Sequence, residues 1–531
     1  MSPDLGVPMR RPKRPPKRIQ TLAQRKTVLI INAYFDPWRS ATPTRWFVPR
    51  AMAPFYLAGY FDRERVEVRV WDEAFDGPLL DIRILEWPDL VIFTGLTASF
   101  DRAHQLCAYF RHMNPLGTTV IGGPIARALP ALCSEIFDYV AQGDVESLAG
   151  IVTDLFGPDY VDGEGAPRFD LARPTMGLGY LETTKNCNFA CSFCSLTAEG
   201  RPYTAHSDAS IARQLDAMGR VFGVMVLDNN FYGNSRESFR HRTELIGERW
   251  RRGQFRGWGA LVTGDFFKRP ENLDLMAQNG CKALFSGVES LDPKVLKHFN
   301  KKHSMASDPR ALTELCAAHG MTFDYGMITD FTEQTVAEVA GQIDGILADH
   351  RIPLPGLLSV PIPILGTPHF VESARAGRMM PNLALSDMDG MKLVEWPREP
   401  LETVRPFFAD LLRFRGRKTA LAHHAVRHAW HWRHHVNWDL TALAFVRPLH
   451  RFGPRFDLGT ARRMMETFRE PSRTFCAMSD PLRNAYRPRI KLPERFEKCF
   501  EPLRITDPKG GLSEAYLKAR PRPVMAGDRP S

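Results

Sequence analysis

Hydrophobic positions fall into two series of strand-length runs separated by helical stretches. In the first series, Thr27-Val-Leu-Ile-Ile-Asn32 is an unbroken apolar run of buried-strand length, ending at a turn around Asp36-Pro37. A helical stretch near 51–61 follows, then Val66-Glu-Val-Arg-Val70 alternates as a strand does. Asp89-Leu-Val-Ile-Phe-Thr94 is a second buried run, followed by an amphipathic segment over 101–113. Thr118-Thr-Val-Ile-Gly-Gly-Pro124 leads a strand into a glycine turn, and Tyr139-Val-Ala-Gln-Gly143 closes the series. Five strands alternating with helices predict an α/β unit over 26–156, with a Rossmann-like open parallel sheet.

Residues 157–176 are rich in Gly, Pro and Asp, lack periodicity, and read as a linker. The second series comprises Leu178-Gly-Tyr-Leu-Glu182, Phe222-Gly-Val-Met-Val-Leu227, Lys282-Ala-Leu-Phe-Ser-Gly-Val-Glu289, 322–328 and 358–363. Beyond Pro397 the chain turns helical, aromatic and basic, so a C-terminal helical region is expected over 386–505. Residues 1–25 and 506–531 read as disordered tails.

The chemistry sits just after the first run of the second series. Thr184-Lys-Asn-Cys187-Asn-Phe-Ala-Cys191-Ser-Phe-Cys194 is a Cys-x3-Cys-x2-Cys run. Three thiolates this close can hold three irons of a [4Fe–4S] cube and leave the fourth iron open. A zinc site would want a fourth ligand and, as a rule, paired Cys-x2-Cys. The run, with Phe193 before its last cysteine, resembles the radical S-adenosylmethionine (SAM) superfamily. That resemblance implies a partial (β/α)6 barrel over 177–385, with Cys187, Cys191 and Cys194 as cluster ligands. It implies that the open iron chelates SAM, which is cleaved reductively to a 5′-deoxyadenosyl radical. It also carries SAM contacts onto Phe193, onto Asp228 and Asn229 after the second strand, and onto Glu289 and Ser290 at the end of the fourth. Each of these acids has a plainer reading as a helix cap or salt-bridge partner.

Pro88-Asp-Leu-Val-Ile-Phe-Thr94, Gly122-Gly-Pro124 and Gly143-Asp-Val-Glu146 resemble the cobalamin-binding domain that precedes many radical SAM barrels. By that resemblance Thr94, Gly122, Gly123 and Gly143 would border a corrin, where Cβ atoms would obstruct a large planar group. Domains that replace the lower axial base carry Asp-x-His-x-x-Gly after the first strand. Here Asn32-Ala-Tyr-Phe-Asp36-Pro37-Trp38 stands instead, with no histidine before His104. Two possibilities stay open: cobalamin bound without a protein histidine, or a domain that kept the fold and lost the corrin.

Composition narrows the classes further. Hydrophobic residues at 44% and charged residues at 24% are ordinary for a soluble globular protein. No run reaches bilayer-spanning length and none forms a signal-peptide core, so a cytoplasmic location is expected. Nine cysteines, three of them in one cluster motif, fit a reducing compartment. The net charge is +10, and residues 1–26 hold eight Lys or Arg against Asp4 alone. No base-reading motif accompanies that charge, so nucleic acid is not an expected partner. In 421–438, His424, His428, His431 and His435 fall on one helix face among Trp430, Trp432 and Trp438. That face can be a packing surface, a metal or anion site, or a peripheral contact with the inner membrane face.

Cysteine number excludes two relatives of the reaction class. Only Cys107 and Cys133 lie in the N-terminal domain, too few for a second cluster there, and only Cys476 and Cys499 lie in the C-terminal part. The expected function is hydrogen abstraction from a small hydrophobic or amphiphilic substrate, with cobalamin-dependent C-methylation. A flavodoxin- or ferredoxin-type electron donor would serve it. The alternatives are a cobalamin-type cyclase or oxidoreductase without methyl transfer, and a non-catalytic corrin or redox sensor.

Overall fold

The computed structural model describes residues 9–10, 25–34, 51–163, 165–172, 177–301, 308–390, 392–413, 418–435 and 480–519. The turn at Asp36-Pro37, Trp38, Trp438 and Cys476 lie outside the described residues. The chain divides into two compact units: residues 1–173, 379–389 and 472–531 form the first, and 174–378 with 390–471 the second.

The first unit is built on a six-stranded sheet. Its strands are β1 (Met9–Arg10), β2 (Lys26–Asn32), β3 (Val66–Asp72), β4 (Leu90–Thr94), β5 (Thr118–Ile121) and β6 (Tyr139–Val140). Their spatial order is β1-β6-β5-β4-β2-β3, all parallel except β1 against β6. The five predicted strands thus lie in the doubly wound order 2-1-3-4-5, which reverses direction between β2 and β4. β4 is buried at every residue, as a strand covered on both faces must be. Val28, Ile30, Leu90, Ile92 and Val120 pack on Ala58, Leu148, Ile151 and Val152 from one side. Phe93 meets Phe137 at 5.6 Å between ring centroids, and Leu106 and Phe110 of helix Phe100–Met113 are fully buried.

Two expectations about the tails change here. Met9–Arg10, inside the expected N-terminal tail, adds an antiparallel edge to β6, which otherwise ends the sheet with unpaired backbone. The expected C-terminal tail is folded through Ala519. Its Thr506 is fully buried, its hydroxyl donating to the Met380 carbonyl (2.7 Å) and accepting from the Leu383 N–H (2.8 Å). Ala384 and Arg504 form an antiparallel bridge, and the Leu503 N–H donates to Asp101 (3.0 Å). The stretch 386–505 is accordingly shared: 386–389 and 480–505 belong to the first unit, 401–435 to the second. A buried ion pair helps to hold the first unit. Arg102 and Glu73 meet at 2.8 Å with both side chains 0% exposed, and Arg102 also donates to the Leu79 and Tyr486 carbonyls.

The second unit contains β7 (Leu178–Leu181), the short β8 (Thr184–Lys185) and β9 (Thr204–Ala205), then β10 (Gly223–Val226), β11 (Trp258–Val262), β12 (Cys281–Glu289), β13 (Thr322–Ile328) and β14 (Leu357–Ser359). Six of them form one parallel sheet in chain order, β7-β10-β11-β12-β13-β14, with helices between: a (β/α)6 half barrel. Helix starts follow local chemistry. Ser207 and Ser235 accept from the N–H three residues on, and Thr335 with Glu338 completes a capping box. The third strand, β11, had no counterpart in the sequence reading. The sixth is shorter than its run suggested, because Pro361 and Pro363 cannot donate to a ladder.

The histidine face lies on helix Lys418–Trp432, in the second unit. His424 and His428 are buried, hydrogen-bonded through Nδ1 to the carbonyls of Leu347 (3.3 Å) and His350 (2.7 Å). The Trp432 indole donates to the Arg351 carbonyl (3.2 Å), whereas His431 and His435 are exposed. Thus His424, His428 and Trp432 pack against 347–351; among the described residues no group of His, Cys, Asp and Glu converges to hold a single metal ion. Among them, too, no helix is long and apolar enough to cross a membrane.

Candidate functional site

In a parallel sheet all strands end on one side, so the groups that follow β7, β10 and β12 gather there. The cysteine loop leaves β7 through Thr183, and the β8–β9 ladder closes its neck, with Lys185 opposite Thr204. Inside, the Cys194 N–H donates to the Cys191 carbonyl (3.2 Å), and the Thr197 hydroxyl donates to the same oxygen (2.8 Å). Cys191 is buried; Cys187 and Cys194 are half-buried. Burial pushes the Cys191 thiol up to about 11 and raises Cys187 and Cys194 as well. The three thiols repel one another as anions, and the Lys301 ammonium opposes the rise in each. Such a group resists ionising unless a cation joins it, which is how a metal centre and its thiolates bind together. A cube, in which each cysteine takes a different iron, suits three thiols carried on one short loop.

Lys301 is the residue that sequence reasoning missed. It is 6% exposed, pairs with Glu289, and holds its ammonium 5.9 Å from the Phe193 ring centroid. Glu289, at the end of β12, has φ +65°, a backbone state that costs a β-carbon residue energy and points to an imposed orientation. Gly287 lies beneath the pair, where an added Cβ would come within 2.6 Å of Lys301 Nζ. Phe193 packs edge to face on Phe299 at 5.0 Å, within a cluster with Val295 and Ile328.

The other sequence-named positions take different places. Asp228 is fully buried; its carboxylate accepts from the Thr183 N–H (2.6 Å) and from the Thr183 hydroxyl. It thereby ties the end of β10 to the start of the cysteine loop, and burial raises it above the usual carboxylate range. Asn229 is exposed, while its neighbour Asn230 is buried and donates to Asn188 inside the loop (2.7 Å). Ser290 is buried and its hydroxyl accepts from the Asp292 N–H (3.1 Å). Beside the loop, Thr197, Ala198, Gly366, Pro368 and Arg375 line an open cleft of about 720 Å³.

In the first unit the reversal between β2 and β4 sets Asn32 beside Thr94, and the Asn32 amide donates to Asp72 (2.7 Å). Gly95 has φ +150°, and a Cβ there would lie 2.6 Å from the Ala33 carbonyl. Gly123 has φ +88° and approaches the Gly95 carbonyl. The space beside Gly143 is taken by Ser147, at 2.6 Å from a built Cβ, and Gly122 has ordinary clearance from Ala141. So Gly95 and Gly123 are required by the turns at this edge, and Gly143 by close chain approach. His104 and His112 are exposed residues of helix Phe100–Met113.

A structure of the cobalamin-dependent SAM radical enzyme OxsB matches the fold at a TM-score of 0.51 and 14% identity, covering 90% of this chain and 83% of that one. The hopanoid C-2 methylase of Rhodopseudomonas palustris is 27% identical over 241 residues, 41% of this chain and 45% of its own. The bacteriochlorophyllide d C-12(1)-methyltransferase of Chlorobaculum tepidum is 26% identical over 263 residues, 48% of this chain and 55% of its own. The chain thus spans about half the length of the curated relatives it matches. Residues 181–343, which run from the end of β7 through the cysteine loop and β13, match the Radical SAM superfamily. With three thiols on that loop and the half barrel beneath them, residues 181–343 carry a radical SAM domain.

Proposed function

We propose that this protein is a radical SAM enzyme that methylates carbon in a hydrophobic or amphiphilic small molecule, with cobalamin as methyl carrier. The observation that carries the reading is the cysteine loop at the carboxyl edge of the half barrel, with the Lys301–Glu289 pair buried beside it. Cys187, Cys191 and Cys194 are the residues to hold a [4Fe–4S] cluster, which when bound supplies the electron that splits SAM to methionine and a 5′-deoxyadenosyl radical. The chain's own residues do the binding and ordering. Lys301 offers a cation to a carboxylate and Glu289 an anion to an ammonium, the two charges of an amino-acid zwitterion. Phe193, packed on Phe299, screens the loop from water. Asp228 and Asn230 hold the loop in register with the strand ends rather than presenting charge to a ligand.

The edge of the first unit fits a flat cofactor at its reversal point, between Asn32 and Thr94, where open α/β sheets bind ligands. Cobalamin bound there would supply the methyl group, without a protein imidazole, since no histidine precedes His104. The methylase names of the two relatives support methyl transfer, and their substrates support an apolar or amphiphilic acceptor. An electron donor of flavodoxin or ferredoxin type completes the scheme.

Anaerobic reconstitution with iron, sulfide and hydroxocobalamin, followed by desalting, tests the reading. About four irons and one corrin per chain, with 5′-deoxyadenosine formed from SAM and reductant, is the expected result. Four irons without corrin would remove methyl transfer, and no iron would remove the enzyme.

A further inference from the structure

Ser192, which follows Cys191 in the loop, has every polar group engaged. Its N–H donates to the Phe299 carbonyl (3.1 Å) and its hydroxyl to the His298 carbonyl (3.3 Å). Its own carbonyl accepts from the His369 N–H (3.0 Å). Two of these three clamps are histidines, and their rings meet edge to face at 5.8 Å. His369 Nε2 lies 2.8 Å from Glu395, with side chains 1% and 3% exposed. The second Glu395 oxygen faces Arg378 at 3.8 Å, and His298 faces Glu333 at 3.8 Å. Asp330, fully buried, feels the charges of both Glu395 and His298.

This cluster is costly to bury. His298 Nε2, His369 Nδ1, Asp330 Oδ2 and Glu395 Oε1 have no hydrogen-bond partner among the described residues. Unsatisfied buried polar atoms destabilise a fold, and an apolar filling of similar volume is often more stable. Packing alone does not account for the group, whereas its place behind Ser192 does. Thr367 caps helix Pro368–Arg375, and the His369 ring, anchored on Glu395, fixes the first turn of that helix. The His369 N–H is fixed with it, and so are Ser192 and the spacing of Cys191 and Cys194.

We infer that His369 and Glu395 are positioning residues for the cluster loop, setting how firmly the cluster is held and the electronic environment of its thiolates. The inference rests on the proposal that the loop carries a cluster. Backbone hydrogen bonds near the sulfurs tune such clusters, so a loosened clamp changes the signal of the reduced centre as well as its retention.

The experiment compares reconstituted wild type with His369→Ala, Glu395→Ala, Glu395→Gln and His424→Ala. The readouts are iron loss to a chelator and the electron paramagnetic resonance spectrum of the reduced cluster. His369→Ala and Glu395→Ala are expected to lose iron about 10- to 100-fold faster, with shifted g values. Glu395→Gln keeps an acceptor for the imidazole and restores most of the retention. His424→Ala removes an equally buried imidazole that bonds Leu347 instead, and should leave iron loss and spectrum unchanged. Wild-type rates and spectra in both clamp variants would overturn the inference. Equal acceleration in His424→Ala would also overturn it, by showing general destabilisation. Should the alanine variants fail to fold, Glu395→Met, which keeps the buried volume but removes the acceptor of the His369 ring, gives the same readouts: faster iron loss supports the clamp, and wild-type loss opposes it. A wild type that takes up no iron would defeat the cluster proposal itself, a result distinct from these.

Discussion

Gly287 shows how a single position can be decided by a residue outside its own strand, Lys301, together with Glu289 two residues on. The Lys301–Glu289 pair occupies the space a side chain would need, so the strand carries hydrogen where β-propensity would favour Val or Thr. Gly287→Ala is expected to displace the ammonium and lower the rate of SAM cleavage on the order of 100-fold, with circular dichroism unchanged. Asp101 is a second case. Burial, then the nearby charge of Asp387, pushes its carboxyl up to about 7 from the usual 3.8, against the Leu503 N–H, which favours the anion. The folded chain therefore binds a proton there that the unfolded chain has already released. Its stabilising effect is complete below about pH 4 and is lost as pH rises through about 7. Asp101→Asn should match wild type in thermal melts at about pH 4 or below, and exceed it by roughly 2–4 kcal/mol at pH 8. At this scale the cysteines were legible because their spacing is local. Lys301 was not, since its pairing with Glu289 depends on how the intervening helix turns back.

Among elements, the apolar runs located most strands, and their failures have causes. Trp258–Val262 is flanked and interrupted by glycines, which hid a strand made of mixed large and small residues. Leu357–Ser359 stops short at prolines. Helix Lys418–Trp432 was readable as a helix, and its packing places His424 and His428 in the core while His431 and His435 stay exposed. Burial drives His428 down to about 4, so the helix docks with that ring neutral. The stability it contributes is whole above about pH 6.5 and falls as pH drops toward 4. His428→Gln, which can still donate to the His350 carbonyl, should flatten the acid limb of a pH–melting curve for the second unit. An unchanged limb would place the acid sensitivity elsewhere.

For the molecule as a whole, the separable prediction concerns Cys191. Cys191→Ala should abolish 5′-deoxyadenosine formation while leaving the first unit folded, as read by circular dichroism and thermal melts. Normal SAM cleavage by that variant would overturn the cluster assignment. By itself the sequence determined the first α/β sheet, most strands of the second and the cysteine triplet, because periodicity and short spacing are local properties. Tertiary structure decided the rest, since burial and pairing join residues far apart in the chain. It returned 480–519 to the first unit, turned Asp228 inward as a loop anchor, set Lys301 against Glu289, and placed a buried His–Glu pair behind Ser192.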